Sequence, residues 1–273
     1  GTDATAGTGG TGGASIDDCS TLPTLTKPPV EHPGEAPDEL VVTDISAGEG
    51  PEARDGDTIV VHYVGVRSLD GVEFDNSYDR GQPFQVTLGQ GMVIPGWDQG
   101  LVGMQAGGVR QLDIPAELAY GDSARSEVIR ENEPLTFLVE AVAVLPVTDP
   151  ADAPDIDVEP AENVDSLVVD DLVVGEGAEV QPCQTVALHL IAYSAADAEE
   201  LASSWESGQL QPIPYRADGS LPGLIDALDG MRIGGRRFVQ IPFDDAFGPT
   251  GNADFGLPGS TDMLLVIDVI AAY

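Results

Sequence analysis

An internal repeat constrains this chain more than any other feature. Leu40-Val41-Val42, followed by Gly48-Glu49-Gly50, returns as Leu167-Val168-Val169 and Gly175-Glu176-Gly177. His62 returns as His189, Pro95-Gly96 as Pro222-Gly223, Gly103-Met104 as Gly230-Met231, Gly107-Gly108 as Gly234-Gly235, and Ala119-Tyr120-Gly121 as Ala246-Phe247-Gly248. Each pair stands 127 positions apart, so no net insertion separates the copies from Leu40 to Gly121. The period is far longer than that of a solenoid and matches the size of a small domain. Two tandem domains follow, which the 273-residue length also suits.

The charge excludes several functions. The chain has 47 acids against 11 bases, a net charge of −36, and such a surface repels phosphate backbones and anionic lipids, so nucleic-acid binding is not expected. Both copies share the excess: −13 over residues 38–146 and −12 over 167–273. Apolar residues make up 42% of the chain, enough for packed cores. No apolar run approaches the ~20 residues of a membrane-spanning helix. Three His and two Cys, all scattered, give no metal-ligand spacing, and no cofactor is expected.

Residues 1–37 read as a flexible tail, with only Gly, Thr, Ala and Asp up to Gly13 and a Pro/Thr-rich run from Thr21 to Pro37. The first domain then occupies 38–146 and the second 166–273. Between them, 147–165 reads as a stiff, self-repelling linker: Pro146 to Asp165 holds seven acids, four prolines and no base. Each domain reads as mostly strand. Ile59, Val61 and Tyr63 alternate onto one face of Thr58 to Val66. Leu112 and Ile114 share a face of Arg110 to Pro115, and Leu135 to Leu145 is a long apolar strand. Pro95 opens a short helix, on which Trp97, Leu101 and Met104 form one apolar stripe that must cover a sheet. Leu224, Leu228 and Met231 repeat it. Antiparallel strands around one covering helix make an α+β fold. His62 lies opposite Tyr63's face and reads, like His189, as a hydrogen-bonded core histidine.

Val60-Val61-His62-Tyr63-Val64-Gly65 and Gly71-Val72-Glu73-Phe74-Asp75-Asn76-Ser77, then the run from Val93 to Met104 and Ile114 to Gly121, together resemble an FKBP-type peptidyl-prolyl isomerase domain. The resemblance implies a five- to six-stranded antiparallel half-barrel around one short helix. It also implies cis/trans isomerisation of X–Pro bonds in proline-containing polypeptide clients, and a site for macrolides of the tacrolimus and rapamycin kind. Carried over by position, the catalytic pocket falls on Tyr63, Phe74, Asp75, Ile94, Trp97, Tyr120 and Phe137, with Phe84, Val93, Val128 and Ile129 binding substrate or macrolide. Trp97 would be the floor and Phe84, Phe137 and Tyr63 the walls. The Ile94 N–H and the Tyr120 hydroxyl would hold carbonyls, and Asp75, whose burial requires a partner, would pair with Tyr63. Met92 stands where the family usually has a polar residue, and the loop from Asp122 to Pro134 is unusually charged. On pattern alone, Phe74, Phe84, Trp97 and Phe137 read as core before they read as a pocket, and only the matching motifs favour the pocket.

The chemistery suits such a pocket. Twisting an amide costs ~18–20 kcal/mol of lost resonance. The twisted amide has less charge separation than the planar one, so a dry aromatic slot with one or two donors favours it without nucleophile or base. In the second copy Tyr63 becomes Leu190, Phe74 Leu201, Asp75 Ala202, Trp97 Leu224 and Tyr120 Phe247. The second domain is therefore expected to keep the fold without the activity, its pocket collapsed or plugged by a neighbour such as Trp205, and its role architectural or in binding.

Cys19 and Cys183 are either one disulfide strapping the tail to the second domain or two unrelated thiols. An even pair favours an oxidising, extracytoplasmic compartment. The start at Gly1 without Met suggests a processed chain, and the Gly/Thr/Ala-rich beginning is similar to the spacer of a bacterial lipoprotein, so a lipid anchor is one expectation. A monomer is expected, either a folding catalyst for exported proteins or a non-enzymatic binding or chaperone module at the cell envelope.

Overall fold

The computed structural model describes Ile16, Asp17, Cys19 and residues 25–273; the rest of the expected flexible tail lies outside the described residues. The first repeat forms β1 (Val41–Ser46), β2 (Thr58–Arg67), β3 (Glu73–Asn76), β4 (Phe84–Thr87), α1 (Pro95–Gly100), β5 (Val109–Ile114) and β6 (Leu135–Leu145). Its antiparallel sheet runs β1-β5-β6-β2-β3, with β4 on the other half of β2. The second repeat forms β7 (Val168–Val173), β8 (Thr185–Ser194), β9 (Glu200–Ser203), β10 (Gln211–Pro214), α2 (Pro222–Ala227), β11 (Arg236–Ile241) and β12 (Met263–Ala272). Its order, β7-β11-β12-β8-β10 with β9 also on β8, is the same topology. Both are open α+β sheets wrapped around a short helix.

Periodicity explains the packing. Ile59, Val61 and Tyr63 of β2, Leu112 and Ile114 of β5, and Leu135, Phe137 and Val139 of β6 all face one core, into which Trp97, Leu101 and Met104 insert. Leu224, Leu228 and Met231 do the same in the second domain. The helices lie so close to their sheets that a Cβ on Gly96 would come within 2.5 Å of Ile114 Cγ2, and one on Gly223 within 2.2 Å of Ile241 Cγ2. The repeat spacing is not constant to the end. Gly65 faces Phe137 whereas Ala192 faces Leu265, so one extra residue enters the second domain between Gly248 and Met263.

An arginine closes each helix. Arg110 donates to the carbonyls of Gly100 and Val102 and pairs with Asp44 on β1 at 2.7 Å. Arg237 does the same with Ala227, Asp229 and Asp171. The carbonyls at a helix C-terminus lack intrahelical donors, and these buried guanidinium groups supply them. The histidines are equally matched: His62 Nδ1 meets Ser77 Oγ at 2.9 Å and His189 Nδ1 meets Ser204 Oγ at 2.8 Å, and burial lowers both pKa values.

Part of the expected flexible tail and the expected stiff linker both lie against the domains. Residues 25–37 run along domain 1: Lys27 pairs with Glu73 and Asp79, Val30 packs on Val64, Val66 and Tyr78, and Gly34 N–H bonds Ser68 O. The acidic linker packs Ala153, Ile156, Val158 and Ala161 against Ile191, Tyr193 and Trp205. Ala161 N–H bonds Ala195 O, 127 residues after the Gly34–Ser68 pair. Composition misleads here because a few apolar residues suffice to seat a strap whose acids face water. Thr148 Oγ1 also bonds His189 Nε2 at 2.8 Å.

The domains meet through equivalent faces. Val60 and Ala143 of the first share a buried cluster with Ala187 and Ala271 of the second, and Gln85 donates to the Tyr273 hydroxyl. Cys19 and Cys183 form a disulfide with Cα atoms 5.5 Å apart.

Arg110→Met removes the charged donor from two carbonyls and from Asp44. Chemical denaturation should show domain 1 destabilised by about 2 kcal/mol; a change within ~0.5 kcal/mol would mean that water replaces the guanidinium at no cost.

Candidate functional site

The middle of β2, β3, the start of β4, α1 and the start of β6 converge on one mouth of the first domain. They line a cavity of about 320 Å³ with Tyr63, Phe74, Asp75, Phe84, Met92, Val93, Ile94, Trp97, Tyr120 and Phe137. Trp97 is 4% exposed and lies at the bottom. The Tyr63 and Phe137 rings stand edge-on or tilted to it with centroids 5.2 Å away, and Phe84 does so at 6.1 Å. Such edge-to-face contacts orient aromatic rings beyond what burial alone does. Gly65 makes room for them, since a Cβ there would lie 2.7 Å from Phe74 and 2.8 Å from Phe137.

Polar groups are few and placed at the rim. The Tyr63 hydroxyl donates to Asp75 Oδ2 at 2.5 Å. Arg80 donates to Asp75 Oδ1 at 2.6 Å and to the Tyr63 oxygen at 2.8 Å. Asp75 is thus paired as expected but not buried: its side chain is 45% exposed and its charge is met by Arg80. Burial, and then the bond to Asp75, push the Tyr63 phenol up to about 12. The Ile94 N–H precedes the helix and the Tyr120 hydroxyl overlooks the cavity; neither has a hydrogen-bond partner among the described residues. Two loop bonds from Gly89 and Gly91 to Asp98 hold the segment before Ile94.

Nine of the eleven pocket positions expected from sequence come together here. Val128 and Ile129 do not line the cavity. Ile129 is buried under the 121–134 loop and its carbonyl closes that turn, while the Val128 carbonyl accepts from Arg67. Met92 is an additional lining residue, and Arg80 joins the site through Asp75 and Tyr63. Met92 is 79% exposed at the rim. Arg80 carried a usable signal: its counterpart in the second repeat is Ser207, so the base disappears where the acid does.

In the second domain the corresponding positions pack into one apolar cluster. Leu190, Leu201, Leu224 and Leu265 share one cluster with Phe247, Phe255 and Leu257. Phe255 and Leu257 come from the loop that carries the extra residue, and Phe247 and Phe255 lie 5.5 Å apart. The expected plug, Trp205, is elsewhere: it stacks on His189 at 3.8 Å on the other face of the sheet. A chain position beside Tyr193 and the linker, not the emptied pocket, decides where that ring goes.

Raising the phenol's folded pKa above its ordinary 10.0 has a defined sign. The neutral phenol contributes stability that is complete below pH 10 and lost as pH rises through about 12. Ultraviolet titration of the native chain minus that of Tyr63→Phe should place this transition near 12; a transition at 10 would mean a solvated, unpaired hydroxyl.

Residues 50–142 and 177–270 each match the family model for FKBP-type peptidyl-prolyl cis-trans isomerase. An FK506-binding protein of Streptomyces anulatus is 52% identical over 122 residues, 44% of this chain and 98% of that protein. A probable FK506-binding protein of Corynebacterium glutamicum is 45% identical over 120 residues, 44% of this chain and 99% of that one. Among solved structures, FkpA from Escherichia coli is similar at 46% identity, covering 39% of this chain and 48% of that chain, with a TM-score of 0.36.

Proposed function

The chain belongs to the FKBP-type peptidyl-prolyl cis-trans isomerase family, and from that premise we propose that domain 1 alone performs the isomerisation. The cavity over Trp97 carries this reading. It is the size of a proline ring with its flanking peptide groups, has aromatic walls, and offers two donors without protein partners among the described residues. A proline ring packs on Trp97 between Phe84, Tyr63 and Phe137. The Ile94 N–H and the Tyr120 hydroxyl hold carbonyls on either side of the turning bond.

The site accelerates the reaction by preferring the twisted amide. A planar amide entering the cavity loses hydration that its charge separation needs; the twisted form needs less of it. Asp75 and Arg80 hold the Tyr63 ring in place from the rim. A 10⁶-fold effect would require about 8 kcal/mol of such preference. Macrolides of the tacrolimus kind would occupy the same cavity. Domain 2, with leucines and Phe247 in that space, is architectural. The Cys19–Cys183 disulfide supports an extracytoplasmic setting, where such bonds persist, and hence exported polypeptides as clients.

The full-length chain with Trp97→Leu, which copies Leu224 into domain 1, should fall to the uncatalysed rate on a proline tetrapeptide. Tyr120→Phe with Asp75→Ala should lose about tenfold or more in kcat/KM, from the loss of the donor and of the ring's anchor. Turnover surviving Trp97→Leu would place activity in domain 2 and overturn the assignment.

A further inference from the structure

The isomerase reading leaves without a task a charged group that sits against Tyr120, one of the cavity's lining residues. Arg125 stands on the 121–134 loop, which is tied to itself. The Arg125 and Ser126 N–H groups both donate to Ile129 O, at 3.0 and 3.2 Å, and Asn132 N–H donates to Gly121 O at 2.7 Å. Ser126 Oγ accepts from the Val128 and Ile129 N–H groups, and Ile129 is buried beneath. This turn sets the Arg125 guanidinium over Tyr120, with Cζ 4.8 Å from the ring centroid. Six of the ten arginines are in ion pairs with Asp or Glu; Arg125, an exposed residue, has none among the described residues. A planar cation held against the ring that faces the substrate, in a chain with 47 acids, is an unmet partner for a carboxylate.

The geometry points to Arg125 as a specificity determinant that favours an acidic residue flanking the substrate proline. This rests on the assignment of the isomerase site to domain 1. The guanidinium is within reach of a side chain leaving the peptide group that Tyr120 holds, and stacking on the ring spares it the entropy of being ordered by the substrate. Phe84 and Met92, on other parts of the rim, supply the competing preference for apolar flanks. The overall charge opposes acidic peptides at long range, but that field is screened beyond about 8–10 Å in physiological salt. It also acts almost equally on the native chain and an Arg125 variant, so the comparison between them isolates the local pair.

Tetrapeptides with Glu, Leu or Lys immediately before, or immediately after, the proline provide the test in the full-length chain. In Arg125→Ala the Glu-to-Leu ratio of kcat/KM should fall about two- to fivefold at one of the two positions, the range of an exposed ion pair. Arg125→Glu should carry the ratio further down and raise the Lys peptide. Both shifts should shrink in 1 M salt. An unchanged ratio at both positions, or a shift indifferent to salt, overturns the proposal, because Arg125 then only packs on Tyr120. Absence of turnover by the native chain on every peptide would refute the isomerase assignment instead. The same ratios, taken from peptide affinities in NMR titrations, would then decide the role of Arg125.

Discussion

Burial of a short helix stripe against a curved sheet is the interaction on which the rest of each domain depends. Helices of six residues, such as Pro95–Gly100 and Pro222–Ala227, do not persist in water on their own. Each is held because Trp97 or Leu224, with the Leu and Met that follow, replaces water on the sheet, and because a glycine lets the backbone approach closely. The arginine at the far end gives the loose carbonyls a donor and ties the helix to the first strand. In domain 1 the residue that anchors this packing, Trp97, also forms the bottom of the cavity, so fold and site share one contact.

That sharing explains how the duplicate diverged. The stripe tolerates any apolar side chain that fills the space between helix and sheet. A leucine at 224 keeps the domain folded, and the hollow it leaves is covered by Phe247, Phe255 and Leu257 from a loop one residue longer. Ala192 replaces Gly65 because Leu201 and Leu265 do not need the room that Phe74 and Phe137 do. The frame residues persist, the pocket residues change together, and the two domains still pack through the same face, Val60 and Ala143 on one side and Ala187 and Ala271 on the other.

Much of the site was legible in sequence because its members sit on regular elements. Tyr63 follows the alternation of β2, and Trp97 follows Pro95-Gly96 on the helix, so their direction is fixed by period. Side chains whose place depends on loop geometry were not legible. Arg80 reaches back to Asp75 and Tyr63 across a turn, Ile129 turns under its loop instead of toward the cavity, and Trp205 stacks on a histidine on the opposite face. The docking of the tail and linker was not legible for a related reason. Pro and acidic residues say that a segment forms neither helix nor strand, not whether its few apolar side chains find a partner surface.

The sequence by itself determined the duplication, the strand and helix periods, and the pairing of an aromatic pocket in the first copy with its leucine replacement in the second. Those follow from spacing and side-chain type, which local physics reads directly. Only the tertiary structure decided that Asp75 lies open at the rim with Arg80 beside it, that a lengthened loop fills the second hollow, and that the tail and linker lie against the domains. Each of these depends on which surfaces meet across dozens of residues, where one inserted residue or one free patch changes the outcome without altering any local pattern.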